Sequence, residues 1–508
     1  MSEPAQRPVA EAAADAAGLR RAFARSVRFN LQAEFFIHVI RVGGLVFLAH
    51  RLAPSDFGLL RILIVIVGLA GLTSNGGFCE ALIQRQTLSG AHESTALCLT
   101  MFLSIITAGA LFFAAPLIAW AMAMPDLTGM VRLIALPLLV EGASGISNAR
   151  LRRDLKYGTL AVADVFAELA FLVVASALLM SGRPRLSLAA GLGARSLVRG
   201  GITIGFGTFR VKHMPTLLAA RELWQFASRS FGGQGLVLIS QNADYVVVGR
   251  LLGNVELGYY SLAWDLLRFV PERLYRIVGR VTLPVFSRLQ NQDAELSAHY
   301  YDLIAMLARL LIPAMAVIAV AAPTVVATLY GAKWLPAAVP LRILALGLTL
   351  VGLRLAIGSV YYAKNHPEFD IYLHGVRVTL IVAVIGLLAP YGLIAVCIGM
   401  SAIESVIGVA GQWIVCTLLG LQKTRLASSI IPGVLTAAGC AAAAAIAVAL
   451  GNLIALDRPL KLALILAFSG GVFLWRERES LFSMLQASSA AANTTQAVAP
   501  AIAPVIGG

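Results

Sequence analysis

Charged side chains recur at every third or fourth position in an otherwise apolar segment that covers residues 262–286. They are Asp265, Arg268, Glu272, Arg276 and Arg280. At 3.6 residues per helical turn these positions share one face of a helix, and the opposite face is apolar. Hydrocarbon does not solvate such a face, so it predicts a hydrated cavity or a bound charge. Because arginine stays charged and fits phosphate oxygens with a planar fork, the pattern favours an anion.

The composition places this charged face inside a membrane protein. The chain has 508 residues, of which 59% are hydrophobic and 13% are charged, whereas a soluble protein carries roughly 25% charged residues. We count about 14 apolar segments that reach the roughly 20 residues needed for a membrane-spanning helix. The fold class predicted is therefore an all-α polytopic membrane protein with two pseudo-symmetric six-helix lobes followed by two C-terminal helices.

Loop charges orient these helices. The net charge is +14, and with a cytoplasmic N-terminus about 19 basic residues fall on the cytoplasmic side and about 7 on the other, as the positive-inside rule requires. Both termini are thus expected in the cytoplasm. The basic residues are too dispersed to form a nucleic-acid-binding surface. The predicted regions are a lead-in (1–27), an N-lobe (28–212), a C-lobe (213–421), the last two spans (422–478) and a largely disordered cytoplasmic tail (479–508).

Arginines occur in several other predicted spans, and together they are the candidates for a cationic substrate-binding cavity. The set is Arg41, Arg61, Arg195, Arg199, Arg268, Arg276, Arg280 and Arg354. Arg195 and Arg199 are four residues apart and share a helix face. Two alternatives stay open. Arg61 and Arg280 lie near span ends, where they can extend to lipid headgroups, and Arg268 can pair with Asp265 or Glu272 in its own helix.

Acidic residues in the spans have two interpretations. Asp244, Asp265 and Glu168 are candidates for coupling transport to an ion, because charged residues in transporter spans often do this. The alternative is that each acid is an internal partner for the arginines. Neither the histidines nor the five cysteines show metal-ligand spacing, so no metal site or cofactor is predicted.

The chain also repeats itself at half-length. VFLAHRLAPSDFGLL ends at Leu60, and VVVGRLLGNVELGYY ends at Tyr260. Each contains Arg-Leu at the end of one span and an acid two residues before a glycine, Gly58 or Gly258. Two halves of like topology are typical of transporters that bind their substrate between the halves.

Five motifs in the same order carry a family resemblance. They are LAHRLAPSDFGLL (within 47–60), GGFCEALIQRQ (76–86), NADYVVVGRLLGNVELGYYSLA (242–263), LPVFSRLQ (283–290) and YGAKWLPAAVPLRILAL (330–346). The chain resembles the polysaccharide flippases of the MOP superfamily, above all the Wzx-type branch of colanic-acid and succinoglycan exporters. The resemblance covers roughly residues 25–420. It departs from the family pattern at LRRDLKYG, where Tyr157 stands in place of a commoner phenylalanine, and this leaves the glycan undefined.

The resemblance implies a bacterial inner-membrane flippase for an undecaprenyl-diphosphate-linked oligosaccharide, working by alternating access with no bond made or broken. The implied partners are that lipid, the bilayer and a polysaccharide polymerase or export machinery. Two alternatives remain. One is a cation-coupled drug or metabolite exporter of the same fold, which arginine-rich cavities disfavour. The other is a membrane glycan polymerase or ligase, for which no nucleophile–base constellation is found.

Overall fold

A computed structural model describes residues 36–37, 39–85, 87–207, 213–349, 354 and 356–497. Within them, the side chains of 269–270, 272–273, 275–281, 283 and 480–497 are not described. The predicted lead-in (1–27) lies outside these residues. All regular structure in the described part of the chain is helical, so the all-α prediction is confirmed.

The helices fall into two compact units. Unit 1 contains the residues up to Ser261 together with His374–Gly392, and unit 2 contains Leu262–Leu373 with the residues from Leu393 onward. The division of the chain into two six-helix lobes at residue 212 stays a prediction.

Unit 1 holds the first eight helices and parts of two others. They are α1 (39–51), α2 (Pro54–Asn75), α3 (Phe78–Gln84), α4 (Gly90–Met122), α5 (Leu127–Ala135), α6 (Leu138–Arg153), α7 (Tyr157–Met180), α8 (Pro184–Phe206), the first part of α9 (Leu217–Arg288) and most of α13 (Glu368–Leu388). Its core includes side chains from α3, α4, α6 and the start of α9, among them Phe78, Ala96, Ile146 and Leu223.

Unit 2 holds the rest of α9 and the later helices. They are α10 (Asp293–Leu329), a 3-10 turn (Ala332–Ala337), α11 (Ala338–Leu348), α12 (Ile357–Ala363), α14 (Leu393–Leu419), α15 (Lys423–Leu453) and α16 (Arg458–Ala497). Tyr300, Ile304 and Leu311 of α10 bury one face in its core, together with Tyr361 of α12 and Val415 of α14.

Membrane-spanning character is present throughout the described chain. Eight helices are long and apolar enough to cross a bilayer, or nine if α5 and α6, bent by 41° at their junction, form one span. Helices α8 and α9, where three further spans are predicted, are not among the eight because polar residues interrupt their apolar sequence. The protein is therefore a multi-pass membrane protein, and the number of about 14 spans remains a prediction.

The predicted tail overlaps the last helix. Helix α16 continues to Ala497, and residues 498–508 lie outside the described chain. The largely disordered cytoplasmic tail (479–508) stays a prediction.

The half-length repeat has a structural counterpart within unit 1. The chain breaks between α1 and α2 at Ala53 (φ −77°, ψ 157°) and breaks again inside α9 at Gly253 (φ 84°, ψ 178°). A positive φ of this size suits glycine, which has no Cβ. The two breaks lie 200 residues apart, the same separation as the glycines that follow them.

Those glycines pack reciprocally. A Cβ placed on Gly58 would overlap the backbone carbonyl of Asn254, and one placed on Gly258 would overlap that of Pro54. Each glycine therefore lets the first turn of one helix approach the backbone at the start of the other. We call this contact, formed by residues 54–58 and 254–258, the glycine seam.

Candidate functional site

Two arginines share one buried carboxylate in unit 1. Glu168 of α7 accepts a hydrogen bond from Arg41 Nε at 3.1 Å and forms an ion pair with Arg195 Nη2 at 2.9 Å. A second nitrogen of Arg41, Nη2, also binds Glu168 Oε1. The Glu168 side chain is 5% exposed, whereas those of Arg41 and Arg195 are 49% and 40% exposed. The acid is thus buried, whereas both arginine side chains that pair with it are partly exposed.

A second pair extends this arrangement by one turn. Arg199 Nε donates to Asp164 Oδ1 at 2.6 Å, and both side chains are partly exposed. Ser196 Oγ donates to Glu141 Oε1 of α6 at 2.7 Å. We call the whole set, on four helices, the α7–α8 charge cluster: Arg41, Glu141, Asp164, Glu168, Arg195, Ser196 and Arg199. It contains three arginines and three acids.

Local sequence explains why these groups meet. Asp164 and Glu168 are four residues apart on α7, as are the two arginines on α8, so each helix presents its charges on one face. Gly44 lies one turn after Arg41 on α1, and a Cβ there would overlap the side chain of Leu172, one turn after Glu168. The absence of a side chain at Gly44 brings α1 close enough to α7 for the ion pair to form.

Arg61 takes part in an aromatic network elsewhere in unit 1. Its guanidinium lies 4.4 Å from the centroid of the Tyr245 ring, which meets Tyr260 edge-on at 5.8 Å. The Tyr260 hydroxyl donates to Asp244 Oδ2 at 2.8 Å, and Asp244 is completely buried. The Arg61 guanidinium thus makes a cation–π contact with Tyr245 inside the protein. The sequence had left open the alternative that Arg61 extends to lipid headgroups.

Unit 2 contains the other predicted site residues. Arg268 lies over Trp264 at 5.4 Å from its ring centroid, and neighbouring Asp265 is partly buried. Arg354 Nη1 pairs with Glu404 Oε2 at 2.8 Å, with side chains 22% and 4% exposed. The side chains of Glu272, Arg276 and Arg280, the other members of the predicted charged face, lie outside the described residues.

The structure therefore brings together Arg41, Arg195 and Arg199, three of the eight predicted arginines, with the predicted acid Glu168. Arg61 contacts the ring of Tyr245, which packs against Tyr260, the hydrogen-bond partner of Asp244. Arg354 pairs separately with Glu404. The interpretation of the acids as internal partners fits the geometry of Glu168 and Glu404, since both receive arginine. The ion-coupling roles of Asp244, Asp265 and Glu168 stay predictions.

Two polar networks were not anticipated from sequence. In unit 1, the buried Arg377 of α13 donates to the carbonyl and hydroxyl of Ser240, and His374 Nδ1 lies 2.9 Å from the same hydroxyl. In unit 2, Glu477 of α16 accepts a hydrogen bond from Thr436 Oγ1 at 2.7 Å and lies 3.8 Å from Arg309. The only signal in the sequence was an arginine or acid inside an apolar run, which does not identify a serine or threonine partner.

A third network lies at the predicted cytoplasmic side, before the span expected from residue 224. Glu222 accepts a hydrogen bond from His92 Nε2 at 2.9 Å and pairs with Arg85 Nη2 at 2.5 Å. Ser89 Oγ lies 2.6 Å from the other ring nitrogen of His92. The His92 hydrogen bond, together with the Arg85 guanidinium, holds the pKa of Glu222 below its ordinary value of 4.5.

Sequence comparison places the chain in a family. The family described as "Polysaccharide biosynthesis protein" matches residues 47–340, more than half of the chain. The chain belongs to this family. The match includes the glycine seam, the α7–α8 charge cluster from Glu141 onward and the aromatic network around Tyr245.

Curated relatives carry names of the same kind. The chain is 26% identical to the lipopolysaccharide biosynthesis protein WzxC of Escherichia coli (strain K12), over 64% of this chain and 66% of that protein, just under two thirds of its length. It is 24% identical to the teichuronic acid biosynthesis protein TuaB of Bacillus subtilis (strain 168), over 71% and 76%. It is 22% identical to the succinoglycan biosynthesis transport protein ExoT of Rhizobium meliloti (strain 1021), over 59% and 60%.

Solved structures define the fold. The structure of "Lipid II flippase MurJ, inward closed conformation" matches 90% of this chain and 100% of its own, with a TM-score of 0.71 and 14% identity. An inward-facing multidrug resistance MATE family transporter of the MOP superfamily matches 75% and 95%, with a TM-score of 0.59 and 15% identity. The chain thus has the MOP transporter fold predicted from its motifs.

Proposed function

We propose that this protein is a flippase for a polyprenyl-diphosphate-linked oligosaccharide used in polysaccharide biosynthesis. The observation that carries the proposal is membership of the polysaccharide biosynthesis protein family. It is supported by relatives whose names refer to biosynthesis of lipopolysaccharide, teichuronic acid and succinoglycan. The arginine groups supply the physical requirement. A diphosphate must cross an apolar layer, and guanidiniums in a low-dielectric site bind phosphate oxygens strongly.

In this proposal the partly exposed side chains of Arg41 and Arg195 meet the diphosphate. Arg199 is one turn further along α8 and serves the same anion or its first sugar. Arg61, Arg268, Arg276, Arg280 and Arg354 remain candidates for the rest of the path. The lipid tail stays in the bilayer while the charged head moves, so the protein is a transporter and makes or breaks no bond.

The proposed setting is the bacterial inner membrane, with both termini in the cytoplasm and a polysaccharide polymerase or export machinery as the downstream partner. The alternative of a drug exporter shares this fold, because a multidrug transporter is among the similar structures. Accessible arginines disfavour a cationic drug through like-charge repulsion, and they favour an anionic head group.

Reconstitution tests the proposal. The protein is placed in liposomes that contain an undecaprenyl-diphosphate oligosaccharide with a fluorophore on the sugar, and a membrane-impermeant reductant quenches the outer leaflet. Wild-type protein should move the labelled lipid from the inner to the outer leaflet, where the reductant can quench it. We expect Arg41→Ala combined with Arg195→Ala to lower the rate at least tenfold, as loss of two charge-assisted contacts predicts.

Arg150→Ala is the matched control. Arg150 also pairs with a buried glutamate, Glu93, at 3.1 Å, and its side chain is 35% exposed, but it is not part of the α7–α8 charge cluster. The Arg150→Ala protein should flip the labelled lipid at the wild-type rate. A wild-type protein that leaves the inner pool protected, or that instead accumulates a cationic dye, would contradict the proposed function.

A further inference from the structure

Arg229 of α9 is an exposed arginine in a segment that is predicted to span the membrane. It lies five residues after the expected start of the span at residue 224, which is about 7.5 Å along the helix axis. In the same unit, Arg41 and Arg195 have a carboxylate and Arg61 has a tyrosine ring. No hydrogen bond, ion pair or ring contact joins Arg229 to any residue that the structure describes. A charge in this position needs water or a bound anion.

The face of α9 around Arg229 is polar. Arg221, Gln225 and Arg229 follow one another at intervals of four residues, so they lie on one side of the helix, and all three are exposed. The opposite side, with Leu223 and Ala227, is buried in the core of unit 1. The polar row extends over about 12 Å. Since hydrocarbon does not solvate such a row, this face of α9 must be hydrated.

The next turn of α9 is open. Gly232 and Gly233 follow Arg229 by three and four residues, so both lie beside it on the helix surface. A Cβ on either glycine would meet no atom within 4 Å. Glycine in a helix costs roughly 0.5–1 kcal/mol relative to alanine, and no close packing requires it at these two positions. Bare backbone next to a cation leaves room for a bulky ligand.

The combination fits a sugar attached to phosphate. The guanidiniums of Arg221 and Arg229 suit phosphate oxygens, and the Gln225 amide can both donate to and accept from a hydroxyl. The phosphates of a lipid lie in the head-group zone at the edge of the bilayer. Arg229 is near that level, whereas Arg195 lies midway along α8. A phospholipid also offers phosphate, but it has no sugar for the open turn.

We propose that the polar face of α9, formed by Arg221, Gln225, Arg229 and Gly232, is an additional binding site for the sugar-diphosphate head group of the substrate. The diphosphate lies at the arginines and the first sugar lies over the glycine. This rests on the proposed function and adds a position nearer to the membrane surface than the α7–α8 charge cluster. No bond is made or broken there.

Thiol labelling of the intact protein in phosphatidylcholine nanodiscs tests this site locally. Among the native cysteines only Cys98 is exposed, so the reporter Gly232→Cys is combined with Cys98→Ser. A maleimide reacts with the thiolate, which forms where water reaches the sulfur. We expect the introduced thiol to react, and geranylgeranyl-diphospho-glucose at ten times its Kd to slow the reaction about tenfold. Ser181→Cys, in the exposed turn after α7, should react equally with and without the probe.

Arg229→Gln measures the contribution of the charge. Added to the reporter, it should raise the probe concentration for half protection about tenfold, as the loss of a charge-assisted hydrogen bond predicts. Arg152→Gln is the matched control, because Arg152 is an exposed arginine at the end of α6 and lies outside the polar face. It should leave protection unchanged. Ser228→Cys, one turn before Gly232, is a second reporter that nearly keeps the native side-chain size.

The outcomes separate this site from the proposed function. Reporters at 228 and 232 that both fail to react show that the face lies in hydrocarbon, which overturns the site. Reaction without protection by the probe, or protection that Arg229→Gln does not weaken, also overturns it. So does full protection by phosphatidylglycerol nanodiscs without the probe, which assigns the face to lipid head groups. These results leave the proposed function standing, whereas wild-type protein that flips no labelled lipid in the liposome assay overturns that function.

Discussion

The glycine seam gives a direct test of whether the two sequence repeats are physically coupled. Gly58→Ala and Gly258→Ala each place a Cβ against a backbone carbonyl of the other segment. Backbone does not move aside as a flexible side chain does, so each substitution pushes residues 54–58 and 254–258 apart. Overpacking of this kind costs about 1–3 kcal/mol, offset by about 0.5–1 kcal/mol from the better helix propensity of alanine. The expected net loss is about 1 kcal/mol each, and the two ranges together allow at most about 2.5 kcal/mol.

The double variant carries the stronger prediction. Once the first alanine has separated the two segments, the second meets less resistance, so the combined loss should fall short of the sum by about 0.5–2 kcal/mol, within the roughly 0.5–3 kcal/mol found for residues in contact. The measurement is the free energy of unfolding in detergent by denaturant titration, followed by fluorescence. Gly109→Ala is the control, since a Cβ on that α4 glycine meets nothing within 4 Å.

Gly109→Ala should be neutral or slightly stabilising, and its effect should add to that of Gly58→Ala. If Gly58→Ala and Gly258→Ala add fully, the two glycines are not parts of one contact, and the reciprocal packing does not contribute to stability.

Two further predictions concern ion pairs. Glu222→Gln should lower the melting temperature at about pH 6 and lose this effect as the pH falls below 4.5, because a carboxyl with a depressed pKa stabilises the fold only while it is ionised; a difference that is the same at both pH values would contradict this. Arg354→Ala, which leaves the buried Glu404 carboxylate without this arginine, should cost about 3–5 kcal/mol. Glu404→Gln, which keeps a hydrogen-bond acceptor, should cost clearly less in the same unfolding assay, and equal losses would show that the buried charge is not what matters.

The helical fold and the position of the central break followed from sequence because each depends on local information. Apolar length predicts spans, and the short polar stretch with glycine between two apolar segments predicts a break between helices. The separation of 200 residues between Gly58 and Gly258 was visible in the sequence. Their mutual packing was not visible, since it depends on which helix faces meet.

The candidate site was predictable in its residue types and only partly in its pairings. Periodicity places Arg195 and Arg199 on one face of α8 and Asp164 and Glu168 on one face of α7. It does not reveal that the two faces meet, or that Arg41 joins them. That contact depends on Gly44, which packs closely against Leu172. Nothing in a single sequence distinguishes Gly44 from the neighbouring Gly43, where a Cβ would meet no atom within 4 Å.

The ion pair between Arg41 and Glu168 also affects how the first helix is held in the membrane during synthesis. The two residues are 127 positions apart, which at the usual 5–20 residues per second of synthesis is a delay of roughly 6–25 s. During that interval the first helix carries an arginine that costs about 2.5–3.5 kcal/mol at the centre of the membrane. A ribosome-bound chain that stops before α7 should therefore hold its first helix less securely in the bilayer than one that has passed α8.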